Sequence, residues 1–360
     1  MFTQFCKRFS VVLLPIVLLM FLFPASPLLS QDAEKSGERP AVKEKNKKES
    51  PKKGRTQDLE GEMFLTQDKV RLAATYYYGN ADKETVPVLL LHGDKGSRQD
   101  FTPLIKLLTN NGYAVLAADL RGHGKSTQRI ELIPTQVETQ IVTKQQNFSG
   151  FGRGLKPKIV DYLAEEFQPE DYVGMAKFDL PLLREILERV HVEGMVNLYR
   201  LAVVGVGRGA ALAAYWTAQD WKDKDSDRFT KTLVMIAPAE LDPRFDMPKV
   251  FANNKWMRTH LAVLFAIPNN DPLSQGIAEK IRNALLEKNA DETLEANFEI
   301  VHYPATKTVK KDNNESKTEM TITEIFTSSE AKLGSTVFHF IDKRKKAFTE
   351  KEARWSKLKY

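Results

Sequence analysis

The 360-residue chain holds a single cysteine, Cys6, and that residue lies in the N-terminal stretch. Disulfides, thiolate metal sites and a cysteine nucleophile are therefore excluded from everything downstream. Acidic residues are absent from the first thirty positions. Lys7 and Arg8 come first, then an apolar run from Val11 to Phe23, then small or turn-forming residues at Pro24, Ala25, Ser26, Pro27 and Ser30. A cationic start, an apolar stretch of about 7–15 residues and a small-residue exit make up the secretory signal pattern. Residues 1–30 are thus expected to be a signal peptide that exports the protein to a periplasmic or extracellular space. An uncleaved membrane anchor is the alternative, because Phe9 to Ser30 carries no charge and about 20 residues span a bilayer. Pro15, Pro24 and Pro27 make that run a poor continuous helix. No cysteine closes the run, which argues against a lipoprotein.

Apolar residues are scarce in a second region. Residues 31–58 are dominated by Lys, Glu, Ser, Pro and Gly, and they are expected to be a disordered charged linker. The formal charge of the chain is +6, and it sits at the ends. Lys7 and Arg8, the linker and a basic tail over 343–360 together carry +11, so residues 59–342 are net negative, at −5. Nucleic-acid binding is therefore excluded as a reading, since the body offers no basic face studded with aromatics. The cationic ends are instead expected to rest on an anionic envelope surface.

The body alternates short apolar runs with helical stretches. Strands are expected at 70–78, 86–91, 113–118, 200–205, 232–237, 260–266 and 297–303. Helices are expected at 100–111, 172–191, 208–221, 273–289 and 333–347. Several strand runs are almost continuous Val, Leu, Ile and Ala, as parallel strands buried on both faces require. The fold class is therefore α/β, a mostly parallel central sheet with helices on both faces and a single domain over 59–342. Residues 127–168 break the alternation and read as an insertion over the rim of the sheet. Residues 307–317 are strongly polar and read as an exposed loop or hairpin.

Three segments carry the chemistry. Leu89-Leu90-Leu91-His92-Gly93-Asp94 is a strand running into a His-Gly turn. Asp119-Leu120-Arg121-Gly122-His123-Gly124-Lys125-Ser126 is a strand end followed by a glycine-rich turn. Leu201 to Ala210 is a strand, a tight turn (Gly205-Val206-Gly207-Arg208-Gly209) and a helix start. In this order and spacing, roughly residues 70–342 resemble the α/β-hydrolase fold family, the lipase- and esterase-like serine hydrolases. The resemblance implies an oxyanion hole made by backbone amides near Asp94 and at Arg208, with His92, Gly93, Asp94, Gly207 and Arg208 around the pocket. It also implies an acid at Asp271, with Asp242 as second choice.

The chain departs from that family's pattern at its center. Gly207 occupies the slot of the nucleophilic serine in G-x-S-x-G, and a glycine has no group with which to attack a carbonyl. The loops after the last strand, Pro304 to Lys307 and Ser328 to Gly334, contain no histidine to serve as the base. His302 reads as a strand residue and His339 as a helix residue. His92, Asp119, Arg121 and His123 read as braces of their turns, Asp271 as either an acid remnant or the cap of the helix that starts at Pro272, and Arg208 as a solvated cation or, at the mouth of the elbow, one that binds a carboxylate or sulfate. Tyr76, Tyr77, Tyr78, Trp216 and Trp221 read as packing.

The function implied is a catalytically inactive, exported binding or scaffolding module. It would take an unidentified small molecule or protein at the elbow, and it needs no cofactor and no metal. The alternative is an active esterase-, lipase- or peptidase-like hydrolase with a displaced nucleophile, for which Ser126, Ser274 and Ser335 with His92, His123 or His302 are the candidates. A remoter alternative is dinucleotide binding, because Gly205, Gly207 and Ala210 fit G-x-G-x-x-A after a strand. Three interior strands precede this turn, and the expected acid does not end the next strand: Glu240 lies too far on, and Asp225 and Asp227 fall in a loop.

Overall fold

The apolar runs become strands because both of their faces are covered. Alternate side chains of β4 (Pro87–Leu91) separate cleanly, Leu89 and Leu91 into one core and Val88 and Leu90 into the other. The structure is a computed structural model, and it describes residues 56–59, 64–134, 155–222, 228–241, 245–254, 257, 260–286, 297–311, 314–347 and 354–358. The expected signal peptide, most of the expected linker, Asp225, Asp227 and Asp242 lie outside the described residues.

In chain order, the first elements are β1 (Thr56–Leu59), β2 (Val70–Arg71), β3 (Ala73–Tyr77), β4, α1 (Thr102–Asn110) and β5 (Ala114–Asp119). The hairpin β6 (Gln128–Pro134) and β7 (Leu155–Asp161) follows, then α2 (Pro169–Gly174), a π-helical turn over Met175–Asp179 and α3 (Leu180–Val192). The second half runs β8 (Leu201–Val206), α4 (Arg208–Asp220), β9 (Thr230–Ile236), α5 (Met247–Asn253), β10 (Ala262–Pro268) and α6 (Pro272–Leu286). It ends with β11 (Phe298–Tyr303), the hairpin β12 (Thr306–Lys311) and β13 (Asn314–Glu319), α7 (Ile322–Thr327) and α8 (Leu333–Ala347).

The main sheet has the order β1-β3-β5-β4-β8-β9-β10-β11. The six strands from β5 to β11 pair in parallel, and β1 and β3 add an antiparallel edge. Helices α3, α4 and α6 pack into one core, and α1, α7 and α8 into the other. The expected α/β architecture is what the structure has. From β4 the chain moves outward to β5 and then returns to the other side of β4 with β8. That reversal makes the carboxyl ends of β4 and β8 the switch point, where open α/β sheets form their crevice. Both glycine turns, at Gly93 and Gly207, lie there.

Several boundaries differ from the sequence reading. The sheet begins at Thr56, three residues inside the expected linker, because Thr56 to Leu59 finds a free edge on β3. Residues 127–168 contribute a hairpin, β6 with β7, which extends β2 into a separate small sheet. The polar 307–317 stretch, expected as an exposed loop or hairpin, is the hairpin β12–β13. The helix expected at 172–191 spans α2, the π-helical turn and α3. Beyond 342, α8 continues to Ala347 and residues 354–358 lie on the domain. There the His191 ring, fully buried, donates from Nε2 to the Ser356 carbonyl at 2.8 Å, the Trp355 ring packs 5.1 Å from it, and Lys83 Nζ lies 4.0 Å over the Trp355 ring. That part of the expected free tail is docked, because Leu358 packs against the core and Trp355 against the His191 ring.

Candidate functional site

Gly207 is the junction of β8 and α4, with φ 56° and ψ −123°. This is a conformation that glycine adopts readily and other residues only under strain. Its N–H donates to the Ile236 carbonyl at 2.9 Å, and its own carbonyl accepts from Ala210 at 3.0 Å and Ala239 at 3.2 Å, which pins the turn between two strands. The two flanking glycines are fixed by close approach. A Cβ on Gly205 would lie 2.5 Å from the Ala210 Cα, and one on Gly209 would lie 2.8 Å from the Leu91 carbonyl carbon. At Gly207 the nearest atom to such a Cβ is the Gly93 Cα at 3.6 Å, an ordinary contact. The elbow is therefore held tightly at both flanking glycines, with room for a side chain at Gly207 and none present.

Asp94 and Arg208, the residues whose amides would form the oxyanion hole, join through their side chains. Arg208 Nη1 lies 3.0 Å from Asp94 Oδ1 and donates to the Tyr172 hydroxyl at 3.0 Å, and its guanidinium stacks on the Tyr172 ring at 4.5 Å. The reading of Arg208 as a solvated cation is corrected: α2 brings Tyr172, and the His-Gly turn brings Asp94, onto it. The pair is 35% and 48% exposed at the mouth of the elbow.

His92 is buried beside Gly93. Its Nδ1–H donates to the Gly93 carbonyl at 2.7 Å, and its Nε2 accepts the Leu120 N–H at 2.9 Å, so both ring nitrogens are used and the ring is neutral. Burial lowers its pKa to about 4. His123 donates from Nδ1 to the Arg121 carbonyl at 2.8 Å and sits edge-on to His92. Asp119 is fully buried and accepts from the Arg98 backbone and guanidinium and from the Lys125 N–H. Arg121 lies between Asp179, 2.5 Å away and buried, and Asp68, 2.6 Å away. The reading of this turn as a set of braces holds. The sequence reading missed the partner Asp179, although an acid inside the apolar stretch Met175 to Leu183 is a visible sign of a buried ion pair.

All six histidines of the chain lie among the described residues, so every imidazole has a place. His191 lies under the C-terminal segment, His260 stacks on Trp221, His302 donates to the Gln275 side chain on the outer edge of β11, and His339 donates to the Ser335 carbonyl within α8. Asp271 caps α6. Its Oδ1 accepts the Leu273 and Ser274 N–H groups, both at 3.2 Å, and its Oδ2 accepts the Ser274 hydroxyl at 2.6 Å. It occupies the place expected for the acid, after β10, but no histidine joins it. The substitute nucleophiles fare no better. The Ser126 hydroxyl, fully buried, donates to the Asp119 carbonyl and accepts the Ala73 N–H, and the Ser335 hydroxyl donates to Lys332. None of the three serine hydroxyls is hydrogen-bonded to a histidine ring.

A family model for the alpha/beta hydrolase fold matches residues 86–275. No curated protein matches the chain. Among solved structures, an esterase from Pyrococcus furiosus is similar at 16% identity and a TM-score of 0.44, covering 81% of this chain and 91% of its own. Carboxyl esterase 2 from the fungus Tuber melanosporum is similar at 14% identity and a TM-score of 0.48, covering 84% and 90%. A fungal esterase from Rhizomucor miehei is similar at 14% identity and a TM-score of 0.44, covering 82% and 85%.

Proposed function

This chain belongs to the alpha/beta hydrolase fold family, and from that membership we propose that it is an exported, non-catalytic member that serves as a binding or scaffolding module. The observation that carries the reading is Gly207: the elbow retains both packing glycines and the backbone conformation of a nucleophile turn, and the slot itself holds no reacting group. Acyl transfer through this turn needs a hydroxyl and an imidazole to take its proton. Each of the six imidazoles is accounted for elsewhere.

What the elbow keeps is a polar mouth at the switch point, where Asp94, Arg208 and Tyr172 bridge two turns and α2. A small molecule or a protein segment bound there would meet backbone amides and a guanidinium already paired with a carboxylate. The cationic ends would hold the protein near an anionic envelope surface, with Lys343 and Arg344 partly engaged by Glu299 and Asn297. A fluorophosphonate probe tests the non-catalytic reading. The intact protein is expected to remain unlabeled, and labeling of any serine would overturn it. N-terminal sequencing of the secreted protein tests export, with a start near residue 31 expected and Met1 retained as the contrary result. Binding to anionic vesicles is expected to be lost when both cationic ends are deleted, and its persistence would contradict their role.

A further inference from the structure

One face of α4 opens away from the elbow into a cleft of about 310 Å³. Its second wall is the π-helical turn and the start of α3, so the irregular turn at Met175–Asp179 shapes the space directly. Single π-helical turns recur at functional sites. The floor is apolar, formed by Leu180, Pro181 and the rings of Tyr215 and Trp216. A volume near 300 Å³ lies at the small-molecule end of ligand pockets.

The polar groups around this floor are mainly donors. Lys177, Arg184 and Gln219 line the rim, and none of the lining residues is acidic. Arg184 already holds Glu188 at 2.7 Å and approaches Asp220 at 3.5 Å, so its charge is compensated from below. Lys177 is exposed, lies 5.1 Å over the Phe178 ring, and has no carboxylate partner among the described residues. It is the lining cation that no carboxylate of the described residues compensates. Trp216 is 5% exposed, and its indole N–H is buried with no acceptor among the described residues.

We propose that this cleft binds a small organic anion, a carboxylate or sulfonate on an aromatic or branched apolar body. The apolar body lies against Leu180, Pro181, Tyr215 and Trp216, and the anion is held by Lys177 at the rim. The site is separate from the elbow and stands whether or not the elbow is catalytic.

The test uses the full-length protein and two dyes with the same anilinonaphthalene body. 1-Anilinonaphthalene-8-sulfonate carries the anion, and N-phenyl-1-naphthylamine does not. The expected result is saturable one-to-one binding of the sulfonate at least fivefold tighter than that of the neutral dye. Lys177→Glu should weaken the sulfonate at least fivefold and leave the neutral dye unchanged, while Lys106→Glu on α1 should change neither. The chain has four tryptophans, so the indole N–H region of a nitrogen–proton correlation spectrum is sparse, and Trp216→Phe identifies the relevant resonance. That resonance is expected to shift in step with sulfonate binding. Equal affinity for the two dyes, indifference to Lys177→Glu, or a Trp216 resonance that stays fixed while the dye binds would each overturn the proposal.

Discussion

Replacing Gly207 with serine returns a hydroxyl to the elbow, and the structure sets what that should cost. The new Cβ meets only the Gly93 Cα, at 3.6 Å, so there is no overlap to relieve. The penalty is conformational: φ 56° with ψ −123° costs a non-glycine residue on the order of 1–3 kcal/mol. The reduced freedom of the unfolded chain offsets about 0.4–1 kcal/mol of that, leaving a net loss of no more than about 2.5 kcal/mol. Alanine at Gly205 is a different case, because its Cβ would sit 2.5 Å from the Ala210 Cα and α4 would have to move off β8. That variant should lose about 3 kcal/mol or more. Urea unfolding followed by circular dichroism measures both. Gly207→Ser should also gain no ester turnover, because no imidazole stands ready to take the serine proton. A Gly207→Ser cost equal to that of Gly205→Ala would refute the open-slot reading, and a fluorophosphonate-reactive Gly207→Ser would refute the claim that no base is present.

Three further outcomes follow from the buried polar groups and the docked C-terminal segment. Burial holds the His92 pKa near 4, against an ordinary value near 6.5. Its contribution to stability is therefore complete above pH 6.5 and is lost as the pH falls toward 4, by about 3 kcal/mol. Urea unfolding at pH 7.5, 5.5 and 4 should show that loss in the parent protein and a shallower one in His92→Gln; equal slopes would contradict it. Arg121→Ala strands the fully buried Asp179 and should cost about 3–5 kcal/mol, whereas Arg121→Met combined with Asp179→Leu should recover most of that in thermal and urea unfolding. Trp355→Ala should lower stability by about 1–3 kcal/mol by releasing its packing on His191 and Lys83, and an unchanged urea midpoint would return residues 354–358 to a free tail.

Much of the fold was legible because parallel strands buried on both faces leave unbroken apolar runs, and the runs at 86–91, 113–118, 200–205, 232–237 and 260–266 each became a central strand within a few residues. The elbow was legible for a similar reason: Gly205 and Gly209 are demanded by backbone approach, so the motif survives without its nucleophile. What could not be read were features decided by partners far away in sequence. Thr56 to Leu59 looks like linker because its strand character comes from the edge of β3. Asp179 and Asp68 meet Arg121 only once α2, the π-helical turn and the first strands are assembled. Arg208 reads as solvated until Tyr172 and Asp94 are placed beside it. Trp216 reads as packing, and the opposite wall of the cleft it lines is built from the π turn and the start of α3.

The most direct test of the account is turnover of p-nitrophenyl esters of graded acyl length by the purified protein, measured beside Asp271→Ala. A non-catalytic elbow predicts hydrolysis no faster than the buffer background for both proteins at every chain length. Robust turnover by the parent protein that Asp271→Ala abolishes would contradict it.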